Sequence, residues 1–300
     1  MKLKKIGILG LGAIGSVIAT ALKKNETTRI FYYNRSPKDQ LRLKYQDTLF
    51  QTSIDCSIDL RNNTTLDWLI ICLKEHQYSS AHIGLKNLIG TGTKVVVIRN
   101  GLRHKESVEK YCTRNNPILE VIIDCPTQPC VEGGYEQLKK AKLLLKKGMW
   151  LDDFTALFSK QTIHVLGIDD FKTASWKKVA ESAALGAVLC LSGATCWIFE
   201  DEQIQNLYSL LLREAIEVAL ADGAKIEASF EQEMLIKVKK YPPNKGSSML
   251  TDRLNGKTIE LGAKNGIIVN LGNYYNVPTP MNHWVCTLLN YTNKTFSVPK

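Results

Sequence analysis

Two sets of residues in this chain of 300 have types and spacings that can do chemistry. The first is Gly10-x-Gly12-x-x-Gly15. It leaves an apolar run at residues 6–9 and opens a stripe of Ile14, Val17, Ile18, Ala21 and Leu22 at helical spacing. Each glycine then has a separate task. Gly10 permits a tight turn, Gly12 lets backbone approach a pyrophosphate, and Gly15 lets the helix pack close to the strand. The unbonded N–H groups at the helix start, with its positive end, favour phosphate. Gly10, Gly12, Ala13, Ile14 and Gly15 are therefore expected to form a dinucleotide-binding loop rather than an ordinary strand-to-helix turn. The second set is Lys178 with Ser182 and Gly186, at i+4 and i+8, and Glu260 well beyond them. That spacing puts the first three on one helix face, where small residues leave a groove beside the lysine. A cleft ammonium suits reduction of a ketone. Hydride adds to the carbonyl carbon, charge grows on oxygen, and the ammonium stabilises and protonates that oxygen. Glu260 is the candidate carboxylate to orient the lysine. By residue type alone, the pair also fits a surface lysine and a glutamate at a helix start.

A strand is expected at residues 29–33, ending in Asn34-Arg35-Ser36. This lies about twenty residues past the glycines, where a dinucleotide site reads the ribose. An NAD site usually places Asp or Glu there. This chain has neither, and Asn34, Arg35 and Ser36 instead offer polar groups and a guanidinium to a 2′-phosphate. NADP(H) is the expected cofactor. Apolar runs at residues 66–73 and 93–98 read as inner strands of a parallel sheet. Lys74 and Gln77 follow the first, and Asn100 follows the second. Ligands bind at the carboxyl ends of such strands, so these residues are expected along a nicotinamide cleft.

The elements that must position these groups give an α/β fold class. A Rossmann-type dinucleotide-binding domain is expected over residues 1–170, followed by an all-helical substrate and catalytic domain over residues 171–300. Residues 118–123 read as a strand. Residues 135–147 fit either an amphipathic helix or a strand of an antiparallel extension. Residues 162–166 read as the last strand, where His164 is expected to be structural. Past Gly167-Ile-Asp-Asp170 the pattern changes to long helices. Residues 176–197 form an Ala- and Gly-rich buried helix with a break expected near Gly186 or Gly193. Residues 202–221 form an amphipathic helix that Gly223 can close. Residues 258–274 continue the helical pattern, and Val277-Pro-Thr-Pro280 opens the last helix.

Apolar residues make up 44% and charged residues 23%, the balance of a globular protein with a sizeable core. The eight cysteines include no Cys-x-x-Cys pair. They are expected as reduced thiols in a cytoplasmic protein, not as a disulfide framework or a metal site. No apolar run reaches the roughly 18 residues of a membrane span. The net charge of +10 comes from dispersed lysines, not from a basic stripe interleaved with aromatics. Small anionic ligands are expected rather than nucleic acid.

In order and spacing, several pieces together resemble the ketopantoate reductases (2-dehydropantoate 2-reductases). They are the glycine loop, Leu73-Lys74-x-x-Gln77, Asn100-Gly101, Trp176-x-Lys178, Ser247-Ser248-Met249-x-x-Asp252, Glu260, Asn265-Gly266, and Gly272 followed by Val277-Pro-Thr-Pro280. The resemblance covers nearly the whole chain. It implies NADPH-dependent reduction of a 2-keto acid in a cleft between the domains. The leading substrate is 2-dehydropantoate, giving pantoate for pantothenate and coenzyme A biosynthesis. It implies Lys178 as the general acid, Glu260 as its holder, and Ser247 or Ser248 on the substrate carboxylate. It also implies Lys74 and Asn100 near the nicotinamide and ribose, and Arg35 on the 2′-phosphate. A monomer or homodimer is expected. The chain departs from the family at Ser182 and Gly186, where asparagines are usual. Losing two amides predicts a wider groove and a bulkier or less polar 2-keto acid. The rival readings are another 2-keto acid or hydroxy acid dehydrogenase, and a non-catalytic NADP-binding sensor.

Overall fold

The structure, a computed structural model, describes residues 3–57, 65–159 and 163–295. The chain divides into two units, Met1–Phe171 and Lys172–Lys300. The strands of the first unit are β1 (Lys4–Leu9), β2 (Thr28–Tyr33), β3 (Gln40–Tyr45), β4 (Thr48–Ser53), β5 (Cys56–Ser57), β6 (Trp68–Ile71), β7 (Lys94–Ile98), β8 (Ile118–Asp124), β9 (Thr127–Pro129), β10 (Tyr135–Gln137), β11 (Ala141–Lys146) and β12 (Ile163–Ile168). Its helices are α1 (Ala13–Lys23), α2 (His82–Leu88) and α3 (Leu151–Thr155). The main sheet has the order β12-β11-β8-β7-β6-β1-β2-β5. All neighbours in it run parallel except β11 against β8.

The unbroken apolar runs explain the layering, because alternate side chains of an inner strand must be buried on opposite faces. Trp68, Ile70, Val96 and Ile98 join Val17, Ile18 and Leu22 of α1 in one core. Leu69, Ile71, Val95 and Val97 join Leu85 and Leu88 of α2 in the other. Two glycines make the turn from β1 into α1 possible. Gly10 has φ +93, and a Cβ there would lie 3.0 Å from the Cys72 carbonyl oxygen. A Cβ on Gly15 would lie 1.9 Å from the Gly10 carbonyl oxygen, so no other residue fits.

Residues 135–147 are two strands, not a helix. In β11, Ala141, Leu143 and Leu145 are buried while Lys142 and Lys146 are exposed, a period of two. Its register sets Leu143 opposite Ile123 of β8. Strand β10 joins a small second sheet of order β4-β3-β10-β9, which sequence reading did not anticipate. The last strand is Ile163–Ile168, with Thr162 outside the described residues. His164 is exposed on it.

The second unit holds α4 (Phe171–Ser192), α5 (Glu202–Ala221), α6 (Phe230–Lys239), α7 (Ser248–Leu254), a π-helical turn at Gly262–Gly266, α8 (Ile267–Tyr275) and α9 (Pro280–Thr295). Helix α4 differs from expectation. It runs unbroken through Gly186 and stops at Ser192, before Gly193 at φ +71. Every residue from Ala183 to Cys190 is buried. That burial outweighs the roughly 1 kcal/mol that a mid-helix glycine costs. The helical pattern expected from residue 258 starts later, at the π turn. Asn293 of α9 takes both backbone groups of Ile259: the Ile259 N–H donates to its Oδ1 at 2.9 Å, and its Nδ2 donates to the Ile259 carbonyl at 3.4 Å.

Asp222, just past α5, joins three elements. Trp176 Nε1 of α4 donates to its Oδ2 at 2.8 Å, the Tyr275 hydroxyl of α8 donates to its Oδ1 at 2.6 Å, and Lys172 pairs with it at 3.5 Å. Burial pulls the Asp222 carboxyl upward, but these donors and the lysine hold it below the ordinary aspartate value. Asp222→Ala is expected to lower the unfolding free energy by about 2–4 kcal/mol, as measured by urea denaturation. The folded pKa is depressed, so this contribution is full above the unfolded value of about 3.9 and is lost as pH falls through the folded one. The gap between wild type and variant should therefore close in acid. A gap that stays constant from neutral pH into acid would refute the carboxylate's role.

Candidate active site

In the first unit the expected cofactor residues lie on one edge of the sheet. Strands β7, β6, β1 and β2 are adjacent and parallel, so their carboxyl ends meet. Gly10–Gly15, Asn34–Ser36, Lys74–Gln77 and Asn100–Gly101 follow those four ends. The glycine loop fits a dinucleotide phosphate by its own geometry. A Cβ at Gly12 would meet nothing within 4 Å, and no acidic residue sits in the first turn of α1. Ala13, Ile14 and Gly15 carry the N–H groups that a helix start leaves unbonded. Asn34 braces this loop: the Leu11 N–H donates to its Oδ1 at 3.3 Å, and its Nδ2 donates to the Ser36 carbonyl at 3.1 Å. Arg35 is exposed beside it. Gln77 has a local task, since its Oε1 accepts from the Lys74 N–H at 2.9 Å and closes the turn that follows β6.

Two supports here were not anticipated. Lys38 Nζ donates to the Leu11 carbonyl at 3.0 Å, and burial lowers its pKa. His104 Nε2 lies 2.9 Å from the Gly101 carbonyl. Burial, with Arg99 nearby, holds the His104 ring down to about 4, so it is neutral at pH 7. A carbonyl only accepts, so Nε2 carries the hydrogen and donates it. Arg99 also donates to the Asn100 and Leu102 carbonyls, each at 3.1 Å. Asn100 thus sits in a loop fixed from both sides. The only sequence signal for this was a histidine close behind Asn100-Gly101.

In the second unit, Lys178 and Ser182 are half-buried on α4, one turn apart. The neighbouring Lys177 points elsewhere, in an ion pair with Glu227 and over the Phe230 ring. Glu181 is half-buried, and the loss of water pulls its carboxyl upward. Lys237 at 2.7 Å, the Tyr241 hydroxyl at 2.8 Å and the field of Lys178 hold it below the ordinary range instead. The Ser182 hydroxyl donates back to the Val179 carbonyl at 3.3 Å. The Ser247 hydroxyl caps α7, accepting from the Leu250 N–H at 3.2 Å. Ser248 is exposed in the first turn of that helix. Glu260 is only 6% exposed and lies in the non-helical run before the π turn, not at a helix start.

One residue that sequence reading missed brings these pieces together. Lys264 Nζ donates to the Ser248 hydroxyl at 3.1 Å and to the Ser182 carbonyl at 3.5 Å. It also corrects the expected wider groove. A Cβ at Gly186 would lie 2.5 Å from Met249 Sδ and 3.6 Å from Lys264 Nζ. At Gly186 the space a side chain would take is filled by the Met249 thioether, with the Lys264 ammonium in contact beside it.

All eight cysteines are free, and burial raises Cys72 and Cys125 to about 12, which leaves them unreactive. Among the described residues no group of three or more His, Cys, Asp or Glu could hold a metal ion. No described helix is long and apolar enough to cross a membrane.

Family models agree with this arrangement along both units. Residues 6–129 match "Ketopantoate reductase PanE/ApbA", and residues 170–293 match its C-terminal counterpart. A 2-dehydropantoate 2-reductase of Caulobacter vibrioides is 27% identical over 95% of this chain and 98% of its own. A dimeric ketopantoate reductase from Staphylococcus aureus superposes with a TM-score of 0.86 at 20% identity, over 97% of this chain and 99% of its own. A D-mandelate dehydrogenase solved with NADH and anilino(oxo)acetate shares the fold, with a TM-score of 0.87 at 16% identity over 98% of this chain and 100% of its own. With a glycine-loop sheet edge in one unit, an α4–α7 polar face in the other, and both family models matched, the chain belongs to the ketopantoate reductase family of oxidoreductases.

Proposed function

We propose that this chain reduces 2-dehydropantoate to pantoate with NADPH. One observation carries the reading. Ser182 of α4, the helix that also bears Lys178, and Ser248 of α7 lie within hydrogen-bond reach of one ammonium, that of Lys264. A polar donor face beside a half-buried lysine is what a small keto acid needs. Bound NADPH supplies the hydride that adds to the ketone carbon. Lys178 donates a proton to the ketone oxygen as negative charge develops there. Glu260, a buried carboxylate, orients that ammonium, and water returns its proton after each turnover. Ser247 and Ser248 hold the substrate. Lys74 and Asn100 line the nicotinamide side, and the N–H groups of Ala13, Ile14 and Gly15 take the pyrophosphate. Arg35, exposed after β2 where no carboxylate stands, reads the 2′-phosphate that separates NADPH from NADH.

Two substitutions test this reading by NADPH absorbance with 2-dehydropantoate. Lys178→Ala is expected to lower kcat by about 10²- to 10⁴-fold, the range for one general acid. Turnover within a few-fold of wild type would refute the mechanism. Arg35→Ala is expected to raise KM for NADPH roughly tenfold, as loss of a charge-assisted hydrogen bond does, with little change for NADH. Equal changes for both cofactors would refute the NADP assignment.

A further inference from the structure

We infer that Lys38 is a second cation of the cofactor site, which pairs with the 2′-phosphate of NADP(H) beside Arg35. The inference rests on the NADP(H) reading above and adds to it a residue that sets the choice of cofactor. The geometry of the segment after β2 carries it. Leu11, between two glycines of the loop, has both its backbone polar atoms held from that segment. Its N–H donates to Asn34 Oδ1 at 3.3 Å, and its carbonyl accepts from Lys38 Nζ at 3.0 Å. Residues 34 and 38 are thus two anchors on the glycine loop, and Arg35 and Ser36 lie exposed between them. The Asn34 amide ties the first anchor to this stretch, donating to the Ser36 carbonyl at 3.1 Å. The Lys38 ammonium is therefore fixed against the loop that a dinucleotide crosses, at the far end of the segment that bears Arg35.

The surroundings of that ammonium suit an anion. Among the described residues it meets the Leu11 carbonyl and, at 5.5 Å, the face of the Tyr135 ring, but no carboxylate. Arg42 and Lys44 on the next strand are different, since they pair with Glu132 and Glu136. The field of Cys56 reaches Lys38, but burial raises that thiol and keeps it protonated. Burial also lowers the pKa of Lys38, because a carbonyl and a ring replace only part of its hydration. The site is open to a ligand. Lys38 is half-buried, Gly12 next to Leu11 is exposed, and a Cβ at Gly12 would meet nothing within 4 Å. A phosphate monoester carries about two negative charges at pH 7 and three terminal oxygens. A guanidinium can fork across two of those oxygens, and an ammonium acts as a point charge on another. NADH has a neutral hydroxyl in place of this group. Lys38 therefore favours NADPH, and its bond to Leu11 couples recognition of the 2′-phosphate to the loop assigned to the pyrophosphate.

The test measures dissociation constants of NADPH and NADH by calorimetry, without substrate and without turnover. Wild type is set against Lys38→Met, which keeps most of the stem and loses the charge. Lys38→Gln is the second variant, because it retains a donor for the Leu11 carbonyl if the first does not fold. Arg35→Ala runs in parallel, and circular dichroism checks each fold. The expected result for the Lys38 variants is a fall of about 10- to 100-fold in the preference for NADPH over NADH, the range for a hydrogen bond to a charged group. Weakening of both cofactors by the same factor would reduce Lys38 to a brace of the glycine loop and overturn the inference. An unchanged preference in the folded variants would overturn it too. A preference lost in Arg35→Ala but kept in both Lys38 variants would leave the NADP assignment standing and remove Lys38 from it. A wild type that binds NADH as tightly as NADPH would overturn the NADP assignment itself, and the role of Lys38 with it.

Discussion

The helical unit depends on one buried carboxylate. Glu214 of α5 accepts from the Met281 N–H at 2.7 Å and from the Asn282 N–H at 2.8 Å, at the start of α9. It also accepts from Asn282 Nδ2 at 2.7 Å. A helix start carries unbonded donors and partial positive charge, so a carboxylate there is favourable even when buried. Pro280 opens the helix, where its missing N–H costs nothing. From this anchor α9 holds the site segment at both ends. Its Asn282 accepts from Asn265 Nδ2 at 2.9 Å, and its Asn293 clamps the backbone of Ile259. Glu260 and Lys264 lie between those two points. Asn265 and the start of α9 thus fix the backbone on either side of Glu260 and Lys264.

The π turn converts that clamp into a side-chain arrangement. Ala263, Lys264 and Asn265 are buried in succession, which an ordinary helical turn on a surface does not provide. The wider turn sends Lys264 toward α4 and α7 while its neighbour Asn265 reaches α9. A buried ammonium is tolerated only where oxygens meet it. Here they come from two helices that the ammonium itself draws together.

Much of this was legible because the signals were local. The strand, the glycines and the helix that follows are contiguous, and that spacing encodes the close packing of Gly15 on the Gly10 carbonyl, where a Cβ would come within 1.9 Å. The uninterrupted apolar strands dictated a sheet covered on both faces. Lys178 and Ser182 share a face through helical periodicity alone. What escaped was long-range. Lys264 meets Ser182 across 82 positions, and within the helical pattern expected over residues 258–274 nothing singles it out. The hairpin of β3 and β4 is visible in hindsight, with Leu41 and Leu43 buried between Arg42 and Lys44. Its parallel partner β10 lies far along the chain. The buried ring of His104 left no periodic trace at all.

The departures at Ser182 and Gly186 show why a sequence difference has to be read with the volume around it. By residue type, two lost amides mean fewer polar partners and more room. At Gly186 the room does not exist, because Met249 fills it. The two positions therefore set the packing along α4 beyond Lys178, Ser182 lying one turn from it and Gly186 about two.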